Sequence, residues 1–239
     1  MNILSIGNSF SQDAQRYIHK IARADGVDLN THNLYIGGCS LERHHRNMLS
    51  GEREYELELN GVGTGFYVSL DEALLNRAWD VITVQQVSTG SMDYDTYQPY
   101  LNRLVEYIRE CVPKAKVVIH QTWACEEGSE RLHGLGYEKQ IDYHNELKKA
   151  YDKAAKDIKA DFIIPSGELF QKLISAGISP VHRDTFHASY GTARYAMGLL
   201  WYSMLTGRDI TNNTFSDFDE PVTDEEIAKI KACVKELTK

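Results

Sequence analysis

The 239-residue chain reads as an α/β protein of three layers, with helices on both faces of an open, five-stranded parallel sheet. Three observations predict this. Short apolar runs rich in Val, Ile or Leu alternate with longer stretches of helical periodicity, the signature of strand, crossover helix and parallel strand. The short runs are nearly continuous in apolar character, as in strands buried on both faces. No repeat, low-complexity tract or Pro-rich linker divides residues 1–239, so a single domain with one sizeable core is expected.

The first strand, 3–6, runs into Gly7-Asn8-Ser9-Phe10-Ser11, after which Ala14, Tyr17, Ile18 and Ile21 form a helical face that Gly26 closes. Residues 29–36 form the second strand. The rhythm then breaks, because 54–59 alternates polar and apolar residues and Gly61, Gly63 and Gly65 favour tight turns. A β-hairpin insertion is expected around 51–68. Residues 80–86 make the third strand, and Leu101, Leu104, Val105 and Ile108 recur at helical spacing before Pro113 stops the segment. The fourth strand, 116–122, is followed by a helix marked by Ile141, Leu147, Tyr151, Ala154 and Ile158, then by the fifth strand, 161–164. An apolar helical run covers 193–205. Thr223 and Glu226 form a capping-box pattern that opens a last helix, with Ile227, Ile230, Val234 and Leu237 as its buried stripe.

Charge and composition narrow the function classes. Lys+Arg number 26 against 34 Asp+Glu, a net charge of -8, and no run of basic residues exceeds two, so there is no electrostatic footprint for nucleic acid or an anionic membrane. No stretch approaches the roughly 18 apolar residues of a membrane span. The chain enters its motif-bearing segment at once, and Cys39, Cys111, Cys125 and Cys233 are scattered rather than paired at metal or redox spacing. Reduced thiols in a cytoplasmic protein are expected, or a secreted or periplasmic one if a leader has been removed.

Two segments carry candidate chemistry. Ser9 lies at a strand-to-helix turn, where a hydroxyl rises above the carboxyl end of the sheet beside free backbone N–H groups. The plainer alternative is that Gly7 makes the turn and Ser9 or Ser11 caps the helix. Near the other end stands His182-Arg183-Asp184-Thr185-Phe186-His187. Three residues apart on a turn, Asp184 can fix the tautomer of His187 while the other ring nitrogen serves as a base. Taken alone, the segment reads more simply as a solvated Asp and a His satisfied in the loop or core.

Together, Gly7-Asn8-Ser9 and Asp184-x-x-His187 resemble the SGNH (GDSL-like) hydrolase superfamily, and 6–11 resembles the subgroup labelled DUF4886. The resemblance implies a flavodoxin-like α/β/α fold and a serine esterase with Ser9 as nucleophile, His187 as base and Asp184 as its orienting carboxylate. It also implies an oxyanion hole from the N–H groups of Ser9 and Gly38 plus a side chain after the third strand, where this chain has Gln85-Gln86. Neighbouring strand residues face opposite ways, so one glutamine at most can serve, and Gln85 is favoured. Two departures are noted: Asn8 replaces the usual Asp, and Gln85-Gln86-Val87-Ser88 replaces the usual Gly-x-Asn.

Asn8, Gln86 and Trp123 are candidate substrate-binding residues. Trp123 with Tyr94, Tyr97 and Tyr137 could wall a sugar ring, although aromatic residues also serve as core. The polar loop 126–136 and the hairpin contain no long apolar lid, which favours short acyl esters, O-acetyl groups on sugars foremost, over lipid. No metal or cofactor is expected, and oligomeric state is not readable. Two other classes fit the same residues: a metal-dependent phosphoesterase using His182, Asp184 and His187 with His32 or His44-His45, and a catalytically silent α/β binding module. A flavin-binding domain suits the strand pattern, but the first loop has no phosphate-cradling series beyond Gly7.

Overall fold

The computed structural model describes residues 1–238. β1 (Asn2–Gly7) leads through α1 (Ser9–Gln15) and α2 (Ile18–Ala24) to β2 (Asn30–Tyr35). Next come α3 (Leu41–Ser50), the hairpin strands β3 (Tyr55–Leu59) and β4 (Val62–Val68), α4 (Leu70–Leu75) and β5 (Val81–Val84). The chain continues through α5 (Tyr100–Cys111), β6 (Lys116–Gln121), α6 (Glu130–Gly134), α7 (Gln140–Asp157), β7 (Ile163–Pro165), α8 (Ser166–Ser175), α9 (Thr192–Thr206) and α10 (Asp224–Leu237). The α/β class holds, and all five expected parallel strands form.

The sheet is larger than expected. It has seven strands in the order β4-β3-β2-β1-β5-β6-β7. The expected hairpin is real, but it is no excursion: β3 pairs antiparallel with β2, from His32 opposite Leu59 to Tyr35 opposite Glu56. The outer edge of β2 would otherwise present unpaired N–H and C=O groups, and the hairpin takes them up. The sheet is therefore mixed rather than purely parallel.

Alternation along β1 sends Ile3 to one face and Leu4 to the other. Ile3, Val81, Val118 and Ile164 pack under α1, α2, α8, α9 and α10, while Leu4, Leu34, Ile82 and Ile119 pack under α3, α4, α5 and α7. α9 is apolar on every side and is buried from Thr192 to Ser203, as a helix enclosed by other helices must be. A methyl group on its Gly198 would stand 2.7 Å from Ile21 Cδ1, so glycine lets α9 approach α2.

Two smaller differences from the pattern have local causes. The first helical face is split in two around Arg16 and Tyr17, whose φ of -116° and ψ of -6° make it the cap of α2. Ile141 is 46% exposed, because the buried face of α7 is set by Tyr143, Leu147, Tyr151 and Ala154. The capping box of α10 forms as expected, with Thr223 accepting from the Glu226 N–H. Among the described residues, no helix is long and apolar enough to cross a membrane.

The topology fixes where a ligand can sit. β1 lies between β2 and β5, so successive connections leave it in opposite directions and a crevice opens at its carboxyl end. Ser9 follows β1 directly.

Candidate active site

The turn after β1 is built by local hydrogen bonds. Asn8 caps α1, its Oδ1 accepting from the Phe10 N–H at 3.0 Å, while the Asn8 N–H donates to Ser11 Oγ at 3.0 Å. Ser11 also donates to Asn33 Oδ1 at 2.8 Å across to β2. The turn is so tight that a Cβ on Gly7 would lie 2.2 Å from Ser11 Oγ, so only glycine fits. The capping role that the sequence left open between Ser9 and Ser11 belongs to Asn8 and Ser11. Ser9 is left free of it.

The second segment is a loop closed by a bridge between His182 and Ala188. Within it the His187 N–H and Nδ1 face Asp184, at 2.8 Å to Oδ1 and 2.7 Å to Oδ2. Thr185 takes a φ of +71°, costly for a β-branched residue, and its carbonyl accepts from the Glu126 N–H at 2.7 Å. Phe186 packs against His187 at a tilt of 37°, with ring centroids 3.8 Å apart.

An ion cluster ties this loop to α1. Asp13 is fully buried and accepts Arg183 Nη1 at 2.8 Å, Arg194 Nε at 2.8 Å and the Ala188 N–H at 3.1 Å. Arg194 and Arg16 then share Asp219, at 3.1 and 2.6 Å. A carboxylate one helical turn beyond Ser9 thus anchors the segment that carries His187.

The result is a continuous relay: His187 Nε2 lies 2.8 Å from Ser9 Oγ, across 178 residues of sequence. Burial pushes the Asp184 carboxyl up, but hydrogen bonds from the His187 side chain and backbone outweigh it, so the group sits below its usual value. An ionised Asp184 selects the tautomer with Nδ1–H, which leaves Nε2 to accept a proton from Ser9. Beside this relay is a pocket of about 230 Å³ lined by Asn8, Ser9, Phe10, Tyr35, Gly37, Gly38, Val87, Ser88, Arg131, Phe186 and His187. Gly38 adopts a φ of +62°, and among the described residues neither its N–H nor that of Ser9 donates to a protein acceptor.

Several expected site residues turn elsewhere. Gln85 is buried with both amide atoms engaged, Nε2 donating to Asn8 Oδ1 and Oε1 accepting from His120 Nδ1, each at 2.7 Å. Gln86 accepts the Leu41 N–H at 2.9 Å and donates to the Thr96 carbonyl at 3.0 Å. Neither glutamine lines the pocket, because each joins the carboxyl end of β5 to its surroundings. Asn8 lines it but spends its amide internally, Nδ2 donating to the Cys39 carbonyl at 3.0 Å. That bond explains why Asn rather than Asp suits this position.

The expected aromatic wall is also displaced. Trp123 is 1% exposed, stacks on Phe170 at 4.5 Å and donates to the Phe186 carbonyl at 2.7 Å, so it supports the His187 loop from below. Tyr97 is buried, Tyr94 bonds to Asp157, and Tyr137 packs on Tyr143. Phe10, Tyr35 and Phe186 line the pocket instead. Phe10 and Phe186 were signalled only by lying next to Ser9 and His187 and Ser88 only by following Gln85-Gln86, while Tyr35 and Arg131 had no local signal.

The other histidines do not converge with Asp184 and His187. His182 faces the Ala124 carbonyl at 3.0 Å, His32 packs edge-on against Trp79, and His44 is buried on α3 beside Tyr55. Burial pushes His182 and His32 down to about 4 and His44 to about 3.

Comparisons with known proteins extend this geometry. No curated protein matches the chain. A DUF4886 family protein from Bacteroides uniformis, known from a crystal structure, is 32% identical, with a TM-score of 0.92 over 99% of this chain and 93% of its own. A protein from Slackia heliotrinireducens, described as a candidate SGNH hydrolase, is 23% identical with a TM-score of 0.61, over 86% of this chain and 98% of its own. A psychrotrophic esterase from Pseudoalteromonas, solved with monoethylphosphonate as inhibitor, is 15% identical with a TM-score of 0.52, over 85% and 94%. The last two likenesses show a shared fold. The model of the domain of unknown function DUF4886 matches residues 2–234, and the chain belongs to that family.

Proposed function

We propose that this protein is a serine esterase that hydrolyses short-chain acyl esters, O-acetyl groups on carbohydrates foremost, through an acyl-enzyme intermediate. The observation that carries this reading is the unbroken line Ser9 Oγ, His187 and Asp184, at 2.8 and 2.7 Å, opening on a pocket. The fold shared with a known esterase supports it.

In the reaction, His187 Nε2 takes the proton of Ser9 as Oγ attacks the ester carbonyl, and Asp184 stabilises the imidazolium. The N–H groups of Ser9 and Gly38 receive the developing oxyanion, each such donor being worth about 3 kcal/mol of barrier. His187 returns the proton to the leaving alcohol, and water, activated by the same imidazole, releases the acid. The pocket, at about 230 Å³, is below the roughly 300–1,000 Å³ of drug-sized sites, which favours a small acyl group.

The test is hydrolysis of a chromogenic acetyl ester by wild type and Ser9→Ala, each with and without chelator. Turnover that survives chelator and vanishes in Ser9→Ala is expected, together with covalent labelling of Ser9 by an alkyl fluorophosphonate. Turnover abolished by chelator would favour the metal-dependent alternative, and the absence of both turnover and labelling would favour a silent binding module.

A further inference from the structure

We infer that the preferred substrate is an ester whose alcohol portion carries a carboxylate, recognised by Arg131. This inference deepens the esterase reading and rests on it. Arg131 opens from the short α6 into the Ser9 pocket, and its guanidinium Cζ lies 3.6 Å from the centroid of Phe186, the ring that also packs against His187 with centroids 3.8 Å apart. The cation and the catalytic base therefore share one aromatic neighbour. The cation–π contact holds the guanidinium plane in place without using its hydrogen-bonding edge.

That edge is unfilled. Nε is buried with no oxygen or nitrogen partner, and the one hydrogen bond of the group to an oxygen, Ser88 Oγ, is long at 3.4 Å. The Cys125 thiol is its other polar neighbour, a weak acceptor that burial keeps protonated. Among the described residues no carboxylate stands within ion-pair distance of Arg131. The contrast with the other partly buried arginines is direct, since Arg16, Arg183 and Arg194 each hold Asp13 or Asp219 at 2.6–3.1 Å. In a chain with 34 acidic and 26 basic residues, a half-desolvated guanidinium without a counter-ion is an exception that a ligand can resolve.

A guanidinium fork matches a carboxylate in a paired, planar arrangement, whereas a neutral hydroxyl fills one of its donors only. The nearest acidic side chain on the loop, Asp184, is committed to His187 and cannot serve. A short acyl group has no room for a second charged group, so the carboxylate belongs to the alcohol side, as in an acylated acidic sugar.

The experiment compares two acetyl esters of nearly the same shape, one charged and one neutral, those of 3-hydroxybenzoate and 3-hydroxybenzamide, in wild type, Arg131→Gln and Arg131→Lys. Wild type is expected to prefer the carboxylate ester in kcat/KM by about 10- to 100-fold, the scale of a charged hydrogen bond. The preference should fall towards one in Arg131→Gln, stay intermediate in Arg131→Lys, and weaken in wild type as salt is raised. A wild-type ratio of one or less overturns the inference, as does an Arg131→Gln ratio equal to that of wild type. Equal loss on both esters also overturns it, and would make Arg131 an oxyanion or positioning group. Should a variant fail to fold, the wild-type ratio and its salt dependence decide. If neither ester is turned over, the esterase reading fails separately, and calorimetric binding of 3-hydroxybenzoate against 3-hydroxybenzamide to Ser9→Ala still tests the carboxylate preference.

Discussion

The two halves of the candidate relay are held in place by different means. Ser9 is positioned within five residues: β1 ends, Gly7 admits the turn, and Asn8 and Ser11 cap α1. His187 is positioned from afar. Its loop depends on Asp13, 170 residues away from Arg183, on the Trp123 indole under Phe186, and on Glu126 holding the left-handed Thr185. The place of a serine at such a turn can be specified by secondary-structure rules, whereas bringing a distant histidine to it requires a completed core.

The largest expected effect strikes both halves alike. Ser9→Ala and His187→Ala should each lower turnover of an acetyl ester by about 10³-fold or more, because members of such a relay act as a unit. A residual rate within tenfold of wild type in either variant would break the equivalence. Steady-state kinetics on the purified variants measures it.

Asp13→Asn tests the anchoring of the loop. It leaves Arg183 and Arg194 partly unpaired in a buried site, which costs about 3–5 kcal/mol for a broken buried pair. The expected result is a lower urea midpoint with a further loss of kcat at temperatures where the variant is folded. A stable variant of full activity would mean that the loop holds itself.

Acid should weaken both regions from beneath. His120, which reaches Asn8 through Gln85, is pushed down to about 3 by burial, and His182 at the base of the loop to about 4 by burial. The unfolded chain binds these protons from about pH 6.5 downwards while the folded chain does not, so stability falls as the pH drops from 6.5 towards 4 and 3. The scale is of order 2 kcal/mol per fully buried histidine at pH 5. Denaturant midpoints that do not change between pH 7 and 5 would contradict this.

Asn8→Asp sharpens the local half. It removes the donor to the Cys39 carbonyl but keeps an acceptor for the Phe10 N–H, so a loss of about 1–2 kcal/mol in thermal or urea denaturation is expected. Unchanged stability would show that the turn tolerates either residue.

The fold was legible to the extent that it depends on local pattern. Apolar runs located all five parallel strands, and the capping box located α10, because each is written in neighbouring residues. The hairpin was visible, yet its docking on β2 was not, since strand pairing depends on an edge left free by the rest of the sheet. Gln85, Gln86 and Trp123 stay out of the pocket for a similar reason. Proximity to a strand end predicts that a side chain is near the crevice, but its partners decide whether it faces that crevice.

By itself, the sequence determined the α/β class, the strand-to-helix turn that carries Ser9, and the spacing that lets Asp184 reach His187, all short-range consequences of backbone geometry. Tertiary structure alone decided that His187 meets Ser9, that the glutamines turn inward, and that Arg131 enters the pocket without a counter-ion. Those outcomes depend on which buried polar groups find partners once distant segments pack together, and that is a property of the whole core rather than of any stretch of chain.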